Sequence, residues 1–377
     1  MHGPSSGADK STWSDLPYLT QERVVSDHLD SVDIRALAKA CRAMRSMMLS
    51  PALQAAWLRK RHGEFAIWEA LFHIVDAAQR LSVVRQLVEV HHADVGVEFD
   101  ADTSTVLHWA CFHGHVDLVS YLITCPNIQI NAVSSEKQIS PLLIACQVGH
   151  VEVVHQLLSR PGIQVNSRPI SAHNCGRTPL HTVCMPRGPG GVCRIDLVRQ
   201  LLSHKDIQVN LFDEGGRTSL HLACYAGQAD VLHHLLSHKD IQVNLGDKER
   251  LVTALHMACQ EGHVDVVRQL LSRTDIKVNL AAQGGWIPLH IACQVGHVDV
   301  VRQLLSHKDI QVNIGTVQGR YTPLHLACQF DHVDVVRQLL SRTDIEVDLS
   351  DSSGRNAIMV ALSCGHFAVF SLLSSHR

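Results

Sequence analysis

The sequence predicts an all-α fold, a solenoid of paired helices, and three observations predict it. A short pattern recurs through the last two thirds of the chain as Leu107-His-Trp-Ala-Cys, Leu180-His-Thr-Val-Cys, Leu220-His-Leu-Ala-Cys, Leu255-His-Met-Ala-Cys, Leu289-His-Ile-Ala-Cys, Leu324-His-Leu-Ala-Cys and, degraded, Leu142-Leu-Ile-Ala-Cys. The spacing from His221 to His256, His290, His325 and Met359 is 34 or 35 residues, the period of stacked helical repeats. Between copies runs a second apolar segment, as in His263-Val-Asp-Val-Val-Arg-Gln-Leu-Leu-Ser, where Val264, Val267, Leu270 and Leu271 make a helical stripe opposite charges.

Within a repeat, Thr178-Pro-Leu-His supplies a threonine cap and a proline at the first helical position, where its missing N–H is harmless. A glycine then stops the helix: Gly114, Gly149, Gly227, Gly262 or Gly296. The second helix follows. It ends in a polar-to-extended stretch such as Ser272-Arg-Thr-Asp-Ile-Lys-Val-Asn, whose Ile and Val alternate at strand spacing.

Helix, turn, helix and an extended finger opened by Thr-Pro-Leu-His closely resembles the ankyrin-repeat family. The resemblance implies seven repeats over 101–353 with β-hairpin fingers, and a capping repeat over 354–377 in which Met359 stands in the histidine slot. Residues 64–100, with Ile67, Leu71, Ile74, Val83, Val84 and Leu87 at helical spacing, form a lead-in that is either an opposite cap or a worn repeat. The departures are local. The proline slot holds Val106, Ser219 or Ala254, Ile287 removes a cap oxygen, Asp331 replaces the turn glycine, and Gln228 replaces a second-helix histidine. The third repeat carries a loop, Met185-Pro-Arg-Gly-Pro-Gly-Gly-Val-Cys-Arg, that adds six residues between its helices and is either a contact or hinge or a neutral insertion.

Ahead of the lead-in, a polar tail over 1–13 precedes a helical module over 14–63. Ile34, Leu37, Cys41, Met44 and Met48 share one helical face, and Ser50-Pro51 is a helix start. This string resembles an F-box, the three-helix module that docks a Skp-type adaptor of a cullin-RING ubiquitin ligase. The resemblance implies that Leu16, Pro17, Val24, Val25, Leu29, Ile34, Leu37 and Cys41 are adaptor-facing or core positions. An extra residue lies between Pro17 and Leu29, and Met44 and Gln54 stand where that family usually has tryptophan, with Trp57 three residues on.

Net charge is −3, from 33 basic and 36 acidic residues, and no basic stripe interleaves with aromatics, which argues against nucleic acid as a partner. No signal region, spanning segment or lipidation motif is evident, so the expected location is intracellular, cytoplasmic or nuclear, without membrane attachment. Seven of the 12 cysteines occupy one repeat slot (Cys111, Cys146, Cys184, Cys224, Cys259, Cys293, Cys328). Equivalent slots in a stack are about 10 Å apart, too far for disulfides or a shared tetrahedral metal centre, so reduced buried thiols are expected and no cofactor or metal. Of the 27 histidines, 12 are template copies, and no nucleophile, paired carboxylates or phosphate loop breaks the pattern. A catalytic role is therefore not expected.

Slots that stay the same between repeats carry stacking, and slots that vary are free for recognition. The second helix is unchanged in repeats five to seven, whereas finger tips and first-helix ends vary. Aromatics there, Trp109, Phe112, Tyr225, Trp286, Tyr321 and Phe330, are the candidate contacts for a protein target on the concave face. Two functions follow: a ubiquitin-ligase substrate receptor, or a scaffold or inhibitor whose amino-terminal helices only cap the stack.

Overall fold

The predicted helix pairs form as alternating short helices whose ends are written in the caps. The computed structural model describes residues 50–98, 104–134, 138–169, 175–185 and 195–376. It divides into two units, Met1–Ile163 and Gln164–Arg377.

In the first unit, α1 (Pro51–His62), from the end of the 14–63 stretch, is followed by α2 (Ala66–His73) and α3 (Ala77–Glu89) of the lead-in and then by the pairs α4 (Val106–His113) and α5 (Val116–Leu122), and α6 (Pro141–Val148) and α7 (Val151–Leu158). Pro51 opens α1 as expected, although the Ser50 side chain makes no cap bond. Asp76 does cap α3, accepting the Gln79 N–H at 2.7 Å. Helix α1 packs on α2 and α3 and buries Leu53, Trp57 and Leu58 with Ile67, Trp68 and Leu71 of α2 and Val83, Val84 and Leu87 of α3.

The second unit holds six pairs: α8 (Pro179–Cys184) and α9 (Ile195–Ser203), α10 (Ser219–Tyr225) and α11 (Ala229–Ser237), α12 (Ala254–Glu261) and α13 (Val264–Leu271), α14 (Pro288–Val295) and α15 (Val298–Leu305), α16 (Pro323–Gln329) and α17 (Val333–Leu340), α18 (Ala357–Cys364) and α19 (Phe367–His376). First helices pack on first helices and second on second, giving two layers. The first layer is lined by neighbours on both sides, so Leu255, His256, Met257, Ala258 and Cys259 of α12 are all buried. Small alanine and cysteine let the helices approach, and every slot cysteine is buried. Burial raises the thiols of Cys111, Cys224, Cys259, Cys293 and Cys328, the last to about 12, so they behave as inert apolar groups.

Two expectations are corrected. The second-helix core stripe is Val266, Val267 and Leu270, while Val264 and Leu271 are half-buried, because the helix is covered from two directions and its stripe is displaced toward them. The β-hairpin fingers are tight turns: among the described residues the only β-bridge is the isolated Gly246–Thr253 pair. These fingers close on a short backbone bond across the base, Asp213 N–H to Arg217 C=O at 2.8 Å, Ala282 to Trp286 at 2.7 Å and Thr316 to Tyr321 at 3.0 Å, with a second inside each turn, Gly216 N–H to Asp213 C=O at 3.1 Å, Gly285 to Ala282 at 3.0 Å and Arg320 to Thr316 at 3.1 Å. Left-handed residues at the tips, such as Gly216, Gly284 and Arg320, end any ladder there. The Ile/Val alternation before each finger reports burial instead, with Val243, Val278 and Val312 each 2 % exposed on turn backbone.

Candidate protein-binding surface

Three repeating devices hold the recognition surface rigid. The first is the slot histidine. The Thr253 N–H donates to His256 Nδ1 at 3.1 Å, so the ring proton sits on Nε2, which donates to the Trp286 carbonyl of the next finger at 2.9 Å. His181, His221 and His325 make the same pair of bonds, to the carbonyls of Arg217, Val252 and Arg355. Ile287 lacks the cap oxygen, yet its N–H still reaches His290 Nδ1 at 3.1 Å, and His290 Nε2 reaches the Tyr321 carbonyl at 3.0 Å. Burial lowers His181, His256 and His290 to about 4, keeping them neutral donors at neutral pH.

The second device joins the turn glycine to the next repeat's histidine. Gly262 has φ +76°, and a Cβ there would lie 2.7 Å from the His297 ring. That ring donates through Nε2 to the Gln260 carbonyl at 3.0 Å. His150, His263, His332 and His366 repeat the bond on Phe112, Tyr225, Gln294 and Gln329. Where Asp331 replaces the glycine it keeps φ +58°, and its carboxylate lies 3.7 Å from His366 Nδ1.

The third device went unnoticed in the sequence. Asn210, Asn244 and Asn279 each donate to the next repeat's aspartate carbonyl (Asp240, Asp275, Asp309) at 2.6–2.7 Å. Each also accepts a main-chain N–H, from Gln242, Lys277 and Gln311 respectively. The recurring Val-Asn at 209–210, 243–244, 278–279 and 312–313 was the available signal.

On this frame, Phe112, Tyr225 and Phe330 are exposed at first-helix ends, 55 %, 41 % and 44 % respectively. Val148 and Val295 occupy the slot of Phe330, one residue on from that of Phe112 and Tyr225, and are similarly exposed. A search for aromatics alone passed over both. Trp286 and Tyr321 are half-buried on adjacent fingers, each against the slot histidine of its own repeat, His290 and His325. Trp109 is half-buried in the first unit, against His113, His115 and Phe72. The residues expected to face an adaptor, Leu16, Pro17, Val24, Val25, Leu29, Ile34, Leu37 and Cys41, lie outside the described residues.

The period, the paired layers and the histidine relay all recur in one known family, and a family model for ankyrin repeats matches residues 71–169, 168–247, 242–316 and 311–377. The chain belongs to the ankyrin-repeat family. The matched spans start inside the lead-in and run without a gap to the last residue. No curated protein matches the chain. In this ankyrin-repeat protein the conserved-looking polar residues are spent on joints between repeats, leaving an exposed, variable row of side chains suited to binding another protein. Among the described residues no three His, Cys, Asp or Glu side chains are grouped to hold a metal ion, and no helix is long and apolar enough to cross a membrane.

Proposed function

We propose that this ankyrin-repeat protein is a substrate receptor: residues 14–63 dock a Skp-type adaptor of a cullin-RING ubiquitin ligase, and the repeats hold the protein to be modified. The observation that carries the reading is one chain joining the F-box-like string from Leu16 to Cys41 to a repeat array with apolar side chains exposed at its first-helix ends. The array supplies binding surface; its stacking polar groups are already engaged in joints. The chain performs no bond chemistry in this scheme. Its contribution is proximity, raising the effective concentration of target lysines near a ubiquitin-charged enzyme held elsewhere on the ligase.

Titration calorimetry of the full chain with a purified Skp-type adaptor tests this. The expected result is saturable one-to-one binding that disappears in the Leu16→Ala/Pro17→Ala variant while the repeats stay folded by circular dichroism. A folded full-length chain that gives no heat with the adaptor overturns the receptor function and leaves the scaffold or inhibitor.

A further inference from the structure

The first unit carries a surface that the repeat template does not explain. Phe72 of α2 is 50 % exposed and Phe112 of α4 is 55 % exposed. They are the two ends of one ridge. Phe72 meets Trp109 edge-on at 6.4 Å between ring centroids, Trp109 lies 4.4 Å from the His113 ring, and His113 lies 5.1 Å from Phe112. Val75, in the turn between α2 and α3, is almost fully exposed.

A polar edge runs along this ridge, with the Arg80 guanidinium as its positive charge. The Arg80 guanidinium stands 5.3 Å over the Trp109 ring. It is fixed there by donating to the carbonyls of Ile74 at 2.8 Å and Val75 at 3.2 Å and to His115 Nε2 at 2.8 Å. His115 in turn stacks on Trp109, with centroids 5.0 Å apart, and His150 binds the Phe112 carbonyl. Burial, with the Arg80 charge beside them, lowers His113 and His115 below a free imidazole, so both rings are neutral and Arg80 carries the charge of this edge. The acids nearby have other duties: Asp76 caps α3, and Glu69 is paired with His62 and His73. Asp117 lines the shallow cleft beside Arg80 and His115.

We propose that the Phe72–Trp109–Phe112 ridge and its Arg80–His113–His115–His150 edge form a docking surface for a protein segment in which apolar side chains sit beside carboxylates. Two half-exposed phenylalanines flanking a tryptophan supply area at small entropy cost. The guanidinium is already held in place, so less order is lost when a carboxylate arrives. The inference rests on the repeats binding proteins, and adds where the first contact is made and what chemistry is selected. It is independent of the adaptor titration, which reads residues 14–63.

The test uses the full chain, immobilised and panned with a random peptide library displayed on phage, followed by fluorescence polarisation of a labelled synthetic peptide from the best clone. The expected peptides combine Phe, Leu or Trp with Asp or Glu. Their affinity falls about tenfold or more in Phe112→Ser and in Phe72→Ser/Phe112→Ser, and falls comparably in His113→Glu, which sets a carboxylate beside Arg80 at an exposed position. It stays unchanged in Trp286→Ala/Tyr321→Ala. Circular dichroism and the urea midpoint monitor folding of each variant. Enriched peptides that are neutral or basic, or binding that survives both Phe112→Ser and His113→Glu, overturn the proposal, as does a library with no enriched binder. Peptides lost only in Trp286→Ala/Tyr321→Ala overturn this site while keeping the repeats as a protein-binding surface.

Discussion

Five of the six histidines that follow a turn donate Nε2–H to a carbonyl one repeat back, whereas the first, His115, meets the Arg80 guanidinium instead. An arginine can only donate. His115 Nε2 must therefore accept, its proton sits on Nδ1, and the ring is neutral. From Tyr225 onward each repeat of the second unit presents the acceptor its successor needs, so the joint propagates unchanged. At the lead-in no such carbonyl is met, the polarity of the bond inverts, and side chains gather around Trp109 to make the joint. Regular joints consume polar groups in backbone bonds; the irregular one leaves aromatic and basic side chains at the surface.

Acid should stress the regular joints most. His181, His256 and His290 titrate near 4 in the folded chain, against about 6.5 for a free imidazole. Between those values the unfolded chain binds more protons than the folded one, so stability is complete above pH 6.5, falls as pH drops, and levels off below about 4. Each of the three contributes on the order of 2–3 kcal/mol over that window. Burial lowers His221 and His325 in the same direction. Trp286 is the only tryptophan in the second unit, and its fluorescence in urea at pH 7.5 and pH 5 should show a large downward shift of the midpoint. An unchanged midpoint would mean that the slot histidines are not held neutral.

Next in size is the glycine joint. Gly262→Ala places a Cβ 2.7 Å from the His297 ring at φ +76°, and the strained backbone plus the displaced imidazole should cost about 2–3 kcal/mol. Gly365→Ala provides the contrast. Its φ is +78°, but nothing lies within 4 Å of the added Cβ, so only the left-handed term of about 1 kcal/mol applies. Equal losses in urea titrations of the two variants would remove the ring–glycine contact from the account.

The asparagine relay is smaller again. Asn244→Ala deletes the bonds to the Asp275 carbonyl at 2.7 Å and from the Lys277 N–H at 2.8 Å. Both groups are at the surface, where water replaces part of the loss, so about 1 kcal/mol is expected. Hydrogen exchange should rise at Lys277 and leave the first unit untouched. Protection unchanged at Lys277 would show the relay to be decorative.

These joints were partly legible in the sequence. The 34- or 35-residue period, the Thr caps, the turn glycines and the cysteine slot all report local chemistry that repeats, and each appears where the pattern put it. The fingers were expected to be hairpins from the family resemblance beside the Ile/Val alternation, but alternation signals burial as well as strand pairing, and each finger closes on a bond at its base and one within its turn in place of a ladder. The asparagine relay was missed because its partners are 30 or more residues away. Gln228 shows what spacing alone conveys. The histidine it replaces would read the turn of the preceding repeat, and there the turn glycine gives way to the inserted loop 185–194. Arg80 carried no signal, since a lone arginine on a helix reads as solvent-facing until the fold brings Trp109 beneath it.

The surface row gives the smallest effect on stability and so separates binding from folding. Val295 and Phe330 stand 43 % and 44 % exposed at the ends of α14 and α16. Val295→Ser and Phe330→Ser each remove a side chain that is already nearly half in water, and Phe330 meets one joint group, the His332 ring, at 6.4 Å between centroids. The Gln294 carbonyl that accepts from His332 is backbone and survives the first change, as does the Gln329 carbonyl that serves His366 in the second. The double variant should therefore unfold within about 0.5 kcal/mol of wild type. The pair on the first unit, Phe112→Ser and Val148→Ser, differs in what the phenylalanine touches: Phe112 lies 5.1 Å from the His113 ring, closer than Phe330 to His332, and His113 packs on Trp109, so its loss reaches into the Trp109 cluster. A slightly larger change in the first pair than in the second, read as urea midpoints, is what an irregular joint sharing its side chains with the surface requires. Identical midpoints would place Phe112 outside the joint, and a large loss in the second unit would make Val295 and Phe330 core residues unsuited to recognition.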